Sequence, residues 1–298
     1  MSSKRKVNVL SLFDGCSCGQ IALNKANIDY ENYFASEIDK YAINVTQSNF
    51  PNTKQLGDIT KIDPFCLPKI DLLIGGSPCQ GFSFAGKKLN FEDPRSKLFF
   101  DYLRILKALK AKNPSIKFLL ENVKMKKEFI SVINDFLEVE PVEINSAVVS
   151  AQNRRRLYWA NFQINPIIGD GFVLRDVLDF TSNHRYLLEH EINRAIKSHS
   201  AKTYHTGKRM GAVSFPNNLD KKSKTLTVVQ VVGNRAVNHV SDEKGIRILS
   251  TLEFERLQTI PEGYTAFAPE NQRRKMIGNG WTVDVISNIL KQINFDRE

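Results

Sequence analysis

Short apolar runs that each stop on a glycine or an acid, and are then followed by a helical pattern, recur through the first 162 residues. This alternation constrains the fold more than any other feature. Residues 7–13 read as a strand that enters the loop Asp14-Gly15-Cys16-Ser17-Cys18-Gly19, after which residues 20–26 take a helical period. Residues 33–36 form a second strand ending on Glu37, and Asp39 is placed to cap a helix reaching about residue 49. Residues 55–59 give a third strand end, marked by Asp58. Residues 70–74 read as a buried strand that stops at Gly75-Gly76, and residues 116–120 as another that stops at Glu121-Asn122. Between them lies an amphipathic helix over 96–112, with Leu98, Phe99, Tyr102, Leu103, Leu106 and Leu109 inward. A helix over 128–137 and strands near 142–149 and 157–162 follow. A βαβα order predicts an α/β fold, a mostly parallel Rossmann-like sheet with helices on both faces. Sheets of this kind bind ligands beyond the carboxyl ends of their strands.

After about residue 165 the pattern changes. Segments shorten, Gly, Pro, Asn and Lys scatter through 202–220, and all five histidines lie between 184 and 239. Residues 225–232 still read as a strand, so the region is ordered, and residues 249–258 and 283–293 read as helices separated by Gly278-Asn279-Gly280. The expected organisation is a catalytic and cofactor-binding domain over 1–165, a smaller irregular domain over 166–245, and a segment over 246–298 that returns to the first domain. The net charge of +10 implies a polyanionic partner. Residues 182–240 hold ten Lys/Arg against three acids, a surplus of seven, which places that partner on the irregular domain.

Several classes are excluded. No stretch approaches the roughly 20 apolar residues of a membrane span. The basic start runs straight into a strand with no cleavage site, so it is no signal peptide. Four cysteines are too few for a disulfide scaffold, and with no Cys or His pair at ligand spacing no metal site is expected. Reduced thiols then predict a cytoplasmic protein.

The chemistry begins at Pro78-Cys79-Gln80. A lone Cys in a loop is commonly buried and inert, but Cys79 follows a strand end, with the acid Glu121 at the next strand end. Glycines after the first strand, Glu37 after the second and Asp58 after the third describe a pocket for an adenosine-like ligand without phosphate, since the acids would repel one and no Walker lysine is present. Histidine catalysis is ruled out by the absence of His from the sheet domain.

In this order the motifs resemble those of DNA (cytosine-5)-methyltransferases of bacterial and phage type with a single target-recognition region. Phe13-x-Gly15-x-x-x-Gly19 resembles motif I, Glu37 the end of motif II and Asp58-Ile59 motif III. Gly76-Ser77-Pro78-Cys79-Gln80 resembles motif IV, Glu121-Asn122-Val123 motif VI, and Gln152-x-Arg154-x-Arg156 motif VIII. Residues 247–258 resemble motif IX and Gly278-Asn279-Gly280-Trp281 motif X. The forms of motifs I and X are similar to those of animal de novo methyltransferases.

The resemblance implies S-adenosyl-L-methionine as cofactor, lined by Phe13, Asp14, Gly15, Gly19, Glu37, Ile38, Asp58, Ile59, Pro78, Leu98, Asn279 and Trp281. It implies that Cys79 adds to C6 of a flipped-out cytosine, with Glu121, Arg154 and Arg156 at the base. It assigns DNA contacts to Gln80, Ser83, Lys87, Lys88, Gln152, Arg209, Lys222, Lys224, Thr225 and Arg235. The implied partner is double-stranded DNA read as a short specific sequence, by a monomer that acts as a modification enzyme, with a cognate restriction endonuclease as a further expected partner. Three other readings exist: a transfer-RNA methyltransferase of the same motifs, a catalytically silent DNA-binding regulator, and a redox-thiol oxidoreductase. The tRNA branch's Cys-Phe-Thr mark is missing, Cys79, Glu121 and Arg156 are intact, and neither GxGxxG nor a partner Cys near Cys79 is present.

Overall fold

The computed structural model describes residues 5–77, 94–169, 171–180, 184–200, 203–205, 208–210, 215–228, 234 and 236–295, with the side chains of 94–97, 203–205 and 208–210 outside that description. The chain forms two compact units, one of Met1–Asn145, Arg155–Ile167 and Val283–Glu298, the other of Ser146–Arg154 and Ile168–Thr282.

The first unit is a seven-stranded sheet. Its strands are β1 (Val7–Leu12), β2 (Tyr30–Ser36), β3 (Lys54–Gln55), β4 (Leu72–Gly76), β5 (Lys117–Val123), β6 (Val142–Asn145) and β7 (Arg155–Ala160), in the order β3-β2-β1-β4-β5-β7-β6. Pairing is parallel from β3 across to β5, where each connection carries a crossover. The sheet is mostly parallel, as expected, with the exception of β7, which runs antiparallel to both β5 and β6. Only a single 3-10 turn, Ser146–Val148, and a short loop separate β6 from β7, too little for a parallel crossover, so β7 returns antiparallel.

Helices α1 (Cys18–Lys25), α2 (Lys40–Asn49), α3 (Pro94–Lys112) and α4 (Lys127–Leu137) pack on this sheet unit. Leu72, Leu73 and Ile74 of β4 are wholly buried, as a central strand covered on both faces requires. Phe99, Tyr102, Leu103, Leu106 and Leu109 of α3 share one core with Leu10, Leu12, Leu73, Phe118, Leu120 and Trp159. Each such side chain contributes about 1.5–3 kcal/mol on burial. Asp39 caps α2 as its position predicts, accepting from the Tyr41 N–H at 3.0 Å.

The second unit has short ladders only. Its described elements are α5 (Glu189–Ser200), the hairpins β8 (Thr203–His205)–β9 (Lys208–Met210) and β10 (His239–Asp242)–β11 (Gly245–Ile248), then α6 (Thr251–Leu257) and α7 (Glu270–Asn279). Helix α8 (Val283–Leu290) follows in the first unit, where it packs against α1 and Lys25 reaches Asp284 at 2.7 Å. The unit boundaries thus differ from a three-part division at 165 and 245. Of the segment 246–298, α6 and α7 cluster with the irregular region, because α6 is tied to residues of 146–154 and 168–180 by buried polar bonds. The strand expected over 225–232 is not formed in its described part. Ser223 makes a single bridge with Gln152, and residues 224–228 follow without a ladder. Helices α5 and α7 were not expected from the sequence. Helix α7, Glu-Asn-Gln-Arg-Arg-Lys-Met-Ile-Gly-Asn, buries only Met276, Ile277 and Gly278 and carries no apolar stripe to read.

Candidate active site

Strands β1 and β4 are neighbours, with Leu12 opposite Gly75, so the loops that leave them start side by side. This is where the strand order reverses, the place at which open α/β sheets form ligand crevices. A Cβ on Gly75 would lie 3.0 Å from the Leu12 carbonyl oxygen and 3.2 Å from the Tyr102 ring, so only glycine lets the two strands end this close. After β1 the backbone turns through left-handed conformations at Phe13 (φ 58°), Gly15 (φ 59°) and Ser17 (φ 58°). Buried side chains hold this turn. The Asp14 carboxylate accepts from the Ser17 hydroxyl and, at 2.6 Å, from the Tyr33 hydroxyl. Gln20 donates to Ser17 Oγ at 3.0 Å and to Thr53 Oγ1 at 2.8 Å. Burial pushes Asp14 up to about 6, against the opposing pull of hydrogen bonds from Ser11, Ser17 and Tyr33.

At the end of β2, Glu37 accepts three main-chain N–H groups: Gly15 at 2.8 Å on Oε2, Ile38 at 2.7 Å and Asp39 at 2.8 Å on Oε1. A carboxylate has about four lone-pair sites, so this one is fixed in place and still able to accept from a hydroxyl. Beside it Ile38 is 76% exposed, an apolar surface for an aromatic ring. Nothing lies within 4 Å of where a Gly15 Cβ would sit, so the turn leaves open space there. Asp58 caps the following turn, accepting from the Thr60 N–H at 2.9 Å. Acids, an apolar shelf and an open glycine, with no Lys or Arg among them, fit a sugar-and-purine ligand and disfavour a phosphate. Other expected cofactor residues serve the scaffold. Ile59 and Leu98 pack into or against the core, so Ile59 has only its backbone to offer. A Cβ on Gly19 would meet Ile74 and the Tyr33 hydroxyl at 2.6 Å, so this glycine seats α1 on the sheet.

The second cluster lies one strand further. In the β4–β5 ladder Glu121 stands opposite Gly76, and in the β5–β7 ladder Val123 stands opposite Arg156. Arg156 Nε meets Glu121 Oε1 at 2.9 Å, with the two side chains 14% and 12% exposed. Asn122, fully buried, donates to Ser77 Oγ at 3.0 Å and ties the end of β5 to the residue before Pro78. In the sequence Asn122 is only a member of Glu121-Asn122-Val123; this tie gives it a structural role. A carboxylate and a guanidinium held together at a strand end next to the Cys79 loop can hold a polar ring by its nitrogen and carbonyl edge. Pro78, Cys79, Gln80, Ser83, Lys87, Lys88 and Arg235, and the side chain of Arg209, lie outside the described residues.

Two matches to the family model for C-5 cytosine-specific DNA methylases cover residues 7–163 and 126–294. The Type II methyltransferase M.NlaX of Neisseria lactamica is 30% identical over 96% of this chain and 95% of its own length. This chain belongs to the C-5 cytosine-specific DNA methylase family. M1.ScrFI of Lactococcus lactis subsp. cremoris, also a Type II methyltransferase, is 29% identical over 97% of the chain and 78% of its own length. Among solved structures, the S. pombe Dnmt2 methyltransferase superposes with a TM-score of 0.72 over 96% of this chain and 98% of that one, at 20% identity, and so shares the fold. The chain is therefore a DNA (cytosine-5)-methyltransferase that uses S-adenosylmethionine.

Five residues that family resemblance assigns to base or DNA sit differently. Arg154, expected at the base beside Arg156, is 4% exposed and donates to three carbonyls of the second unit: Leu226 and Gly278 at 3.2 Å and Gly280 at 2.9 Å. Gln152, expected on DNA, is fully buried and spends its amide on the Leu226 N–H at 2.8 Å, the Leu257 carbonyl at 3.3 Å and the Gln258 side chain at 3.2 Å. Lys222 caps the Ser150 carbonyl at 3.0 Å, and burial lowers its ammonium below the ordinary lysine value. Lys224 reaches the Val237 carbonyl at 3.3 Å and His199 at 3.2 Å, and Thr225 donates to the Asn153 carbonyl at 2.5 Å. Each makes an internal tie; Gln152 and Arg154 are wholly enclosed by theirs, whereas Lys222, Lys224 and Thr225 remain partly exposed. Asn279 is exposed and Trp281 half-buried at the end of the second unit.

Proposed function

We propose that this methyltransferase acts through a covalent adduct of Cys79 with C6 of a cytosine flipped out of the duplex. The observation that carries the reading is the Glu121–Arg156 pair at 2.9 Å on the strand ends beside the Cys79 loop. Cytosine C5 is a weak nucleophile until a thiolate adds across C5–C6. In that step the Cys79 sulfur bonds to C6, the ring π pair moves toward C5 and N3, and Glu121 shares its proton with N3. Arg156 faces the base carbonyl and stabilises the charge that develops there. Glu37, Ile38, Asp58 and the turn at Gly15 would hold S-adenosylmethionine, which would supply an electrophilic methyl to the activated C5 and depart as S-adenosylhomocysteine. Loss of the C5 proton to a base then expels the Cys79 thiolate and restores the aromatic ring. Both ring faces are needed, which a stacked duplex denies, so the base leaves the stack.

The surplus of positive charge over residues 182–240 supports a recognition region for a short DNA sequence. The Type II names of the relatives support a modification enzyme; action in the cytoplasm, as a monomer and alongside a cognate endonuclease, is part of the same proposal. The test is methyl transfer from labelled S-adenosylmethionine to mixed-sequence duplex DNA and to tRNA, wild type beside Cys79→Ser, with base-resolution mapping. The expected result is label on cytosine C5 within one short duplex motif, absent in Cys79→Ser. Label on tRNA alone, or turnover that survives Cys79→Ser, would overturn the reading.

A further inference from the structure

Motif VIII and the Thr225-Leu226 pair, more than 70 residues apart in sequence, are bonded side by side within the second unit. The Ser223 N–H donates to the Ala151 carbonyl at 2.7 Å, and the Asn153 N–H to the Ser223 carbonyl at 3.0 Å. Thr225 Oγ1 donates to the Asn153 carbonyl at 2.5 Å, and the Leu226 N–H to Gln152 Oε1 at 2.8 Å. Arg154 closes the series on the Leu226 carbonyl at 3.2 Å, while its other nitrogen holds the Gly278 and Gly280 carbonyls. Behind them Gln258 links Gln152 to Thr282, whose hydroxyl donates to Gln258 Oε1 at 2.7 Å and accepts from Ser146 at 2.9 Å.

Neither Gln152 nor Arg154 is accessible to DNA, yet one residue after Arg154 the chain opens β7 and delivers Arg156. We propose that Gln152 and Arg154 are positioning residues that couple recognition to turnover, clamping the segment 223–226 to the peptide that leads into Arg156. The inference rests on the reading that Arg156 and Glu121 act on the cytosine. Segment 223–226 lies inside the basic stretch 182–240 that the proposed function assigns to DNA recognition, so on that reading a shift there pulls on the backbone two residues before a catalytic guanidinium. A displacement of about 1 Å at a reacting group costs on the order of a hundredfold in rate. A mismatched site that leaves the recognition segment out of place therefore also leaves Arg156 out of place.

The test measures kcat/KM on the mapped target duplex and on duplexes carrying one mismatched pair, for wild type, Gln152→Glu, Arg154→Lys and Arg156→Ala. The ratio of the two values is independent of the folded fraction, so a merely structural role does not move it. Thr225→Val, beside Thr225→Ser with its hydroxyl kept, probes the same clamp with a milder change. Gln152→Glu, Arg154→Lys and Thr225→Val are expected to shrink the discrimination ratio by about tenfold, the order of one mismatched pair. Thr225→Ser restores it, and affinity for S-adenosylmethionine is unchanged throughout. Arg156→Ala lowers the rate on the matched duplex more than on the mismatched one, and so shrinks the ratio as well, because discrimination runs through the placing of that guanidinium. A wild-type ratio in Arg154→Lys and Thr225→Val overturns the clamp. So does a uniform loss with a salt slope reduced by about one, the mark of a phosphate contact. If Arg156→Ala turns over like wild type, the underlying reading of the pair fails instead.

Discussion

The two units hold their backbones in place by opposite means. In the sheet unit Leu73 of β4 shares one core with Phe99, Tyr102 and Leu106 of α3, Leu72 and Ile74 are buried on the other face, and the ladder satisfies the main chain. In the second unit the described ladders are two short hairpins, and buried polar side chains satisfy much of the main chain instead. Arg247 forms a two-bond pair with Glu253 at 2.9 and 2.8 Å, the side chains 1% and 0% exposed, and also holds the Asp179 carbonyl. Glu253 accepts in addition from the N–H groups of Asp179 and Ser250. Glu255, equally buried, takes the N–H groups of Gly263 and Thr265. Where a chain lacks periodic apolar runs, a single buried ion can anchor several loops, but every partner must then be present. This is why residues that resemble DNA-contacting or base-contacting positions, Gln152, Arg154, Lys222, Lys224 and Thr225, are occupied with internal bonds.

The difference predicts how each unit breaks. The largest effect is expected from Glu253→Ala, which leaves the fully buried Arg247 only its longer carboxylate contact with Asp242 at 3.4 Å and costs about 3 kcal/mol. Denaturant unfolding should show that loss in the second unit, and retention of wild-type stability would mean that the ion pair is not its anchor.

Acid should act on the two units in opposite directions. Asp14 has its folded value raised from 3.8 to about 6, so its contribution is full below about 3.8 and is lost as pH rises through 6. The shift corresponds to about 3 kcal/mol at neutral pH, and Asp14→Asn should remove that pH dependence from the sheet unit. His239, buried between the rings of His199 and Phe215, is held down to about 4 by desolvation and by His199 and Lys224. Its contribution is present above 6.5 and is lost as pH falls toward 4, so His239→Gln should flatten acid unfolding of the second unit. Thermal melts from pH 4 to 7 that shift both variants the same way would break the contrast. The smallest effect belongs to the exposed Arg175–Asp220 pair at 2.9 Å. Arg175→Ala should change stability by less than about 1 kcal/mol, and less still at high salt, by the same unfolding assay.

Much of the sheet unit is legible in the sequence, because a buried strand ending on glycine or an acid is a local signal. The runs at 7–13, 33–36, 70–74 and 116–120 became β1, β2, β4 and β5, and the cap at Asp39 formed. Of the residues expected at their ends, Glu37 directly follows β2, Gly15 lies three residues beyond β1, Asp58 lies three beyond the two-residue β3 and caps a turn, and Glu121 falls two residues before the end of β5. Helix α5 spaces Ile192, Ala195 and Ile196 on one face, a stripe the sequence does offer, whereas α7 has none and takes its stabilisation from tertiary bonds. The same holds for Arg154 and Arg156. They belong to one motif, and nothing local distinguishes a guanidinium that meets Glu121 from one that meets three carbonyls.

By itself, then, the sequence determined the α/β sheet, the places where its strands end and the residue types available there, because periodicity and chain breakers act over a few neighbours. Only the tertiary structure decided which polar side chains point toward chemistry and which are consumed by the scaffold. That choice depends on which carbonyls and N–H groups, over 70 residues away along the chain, are left needing a partner.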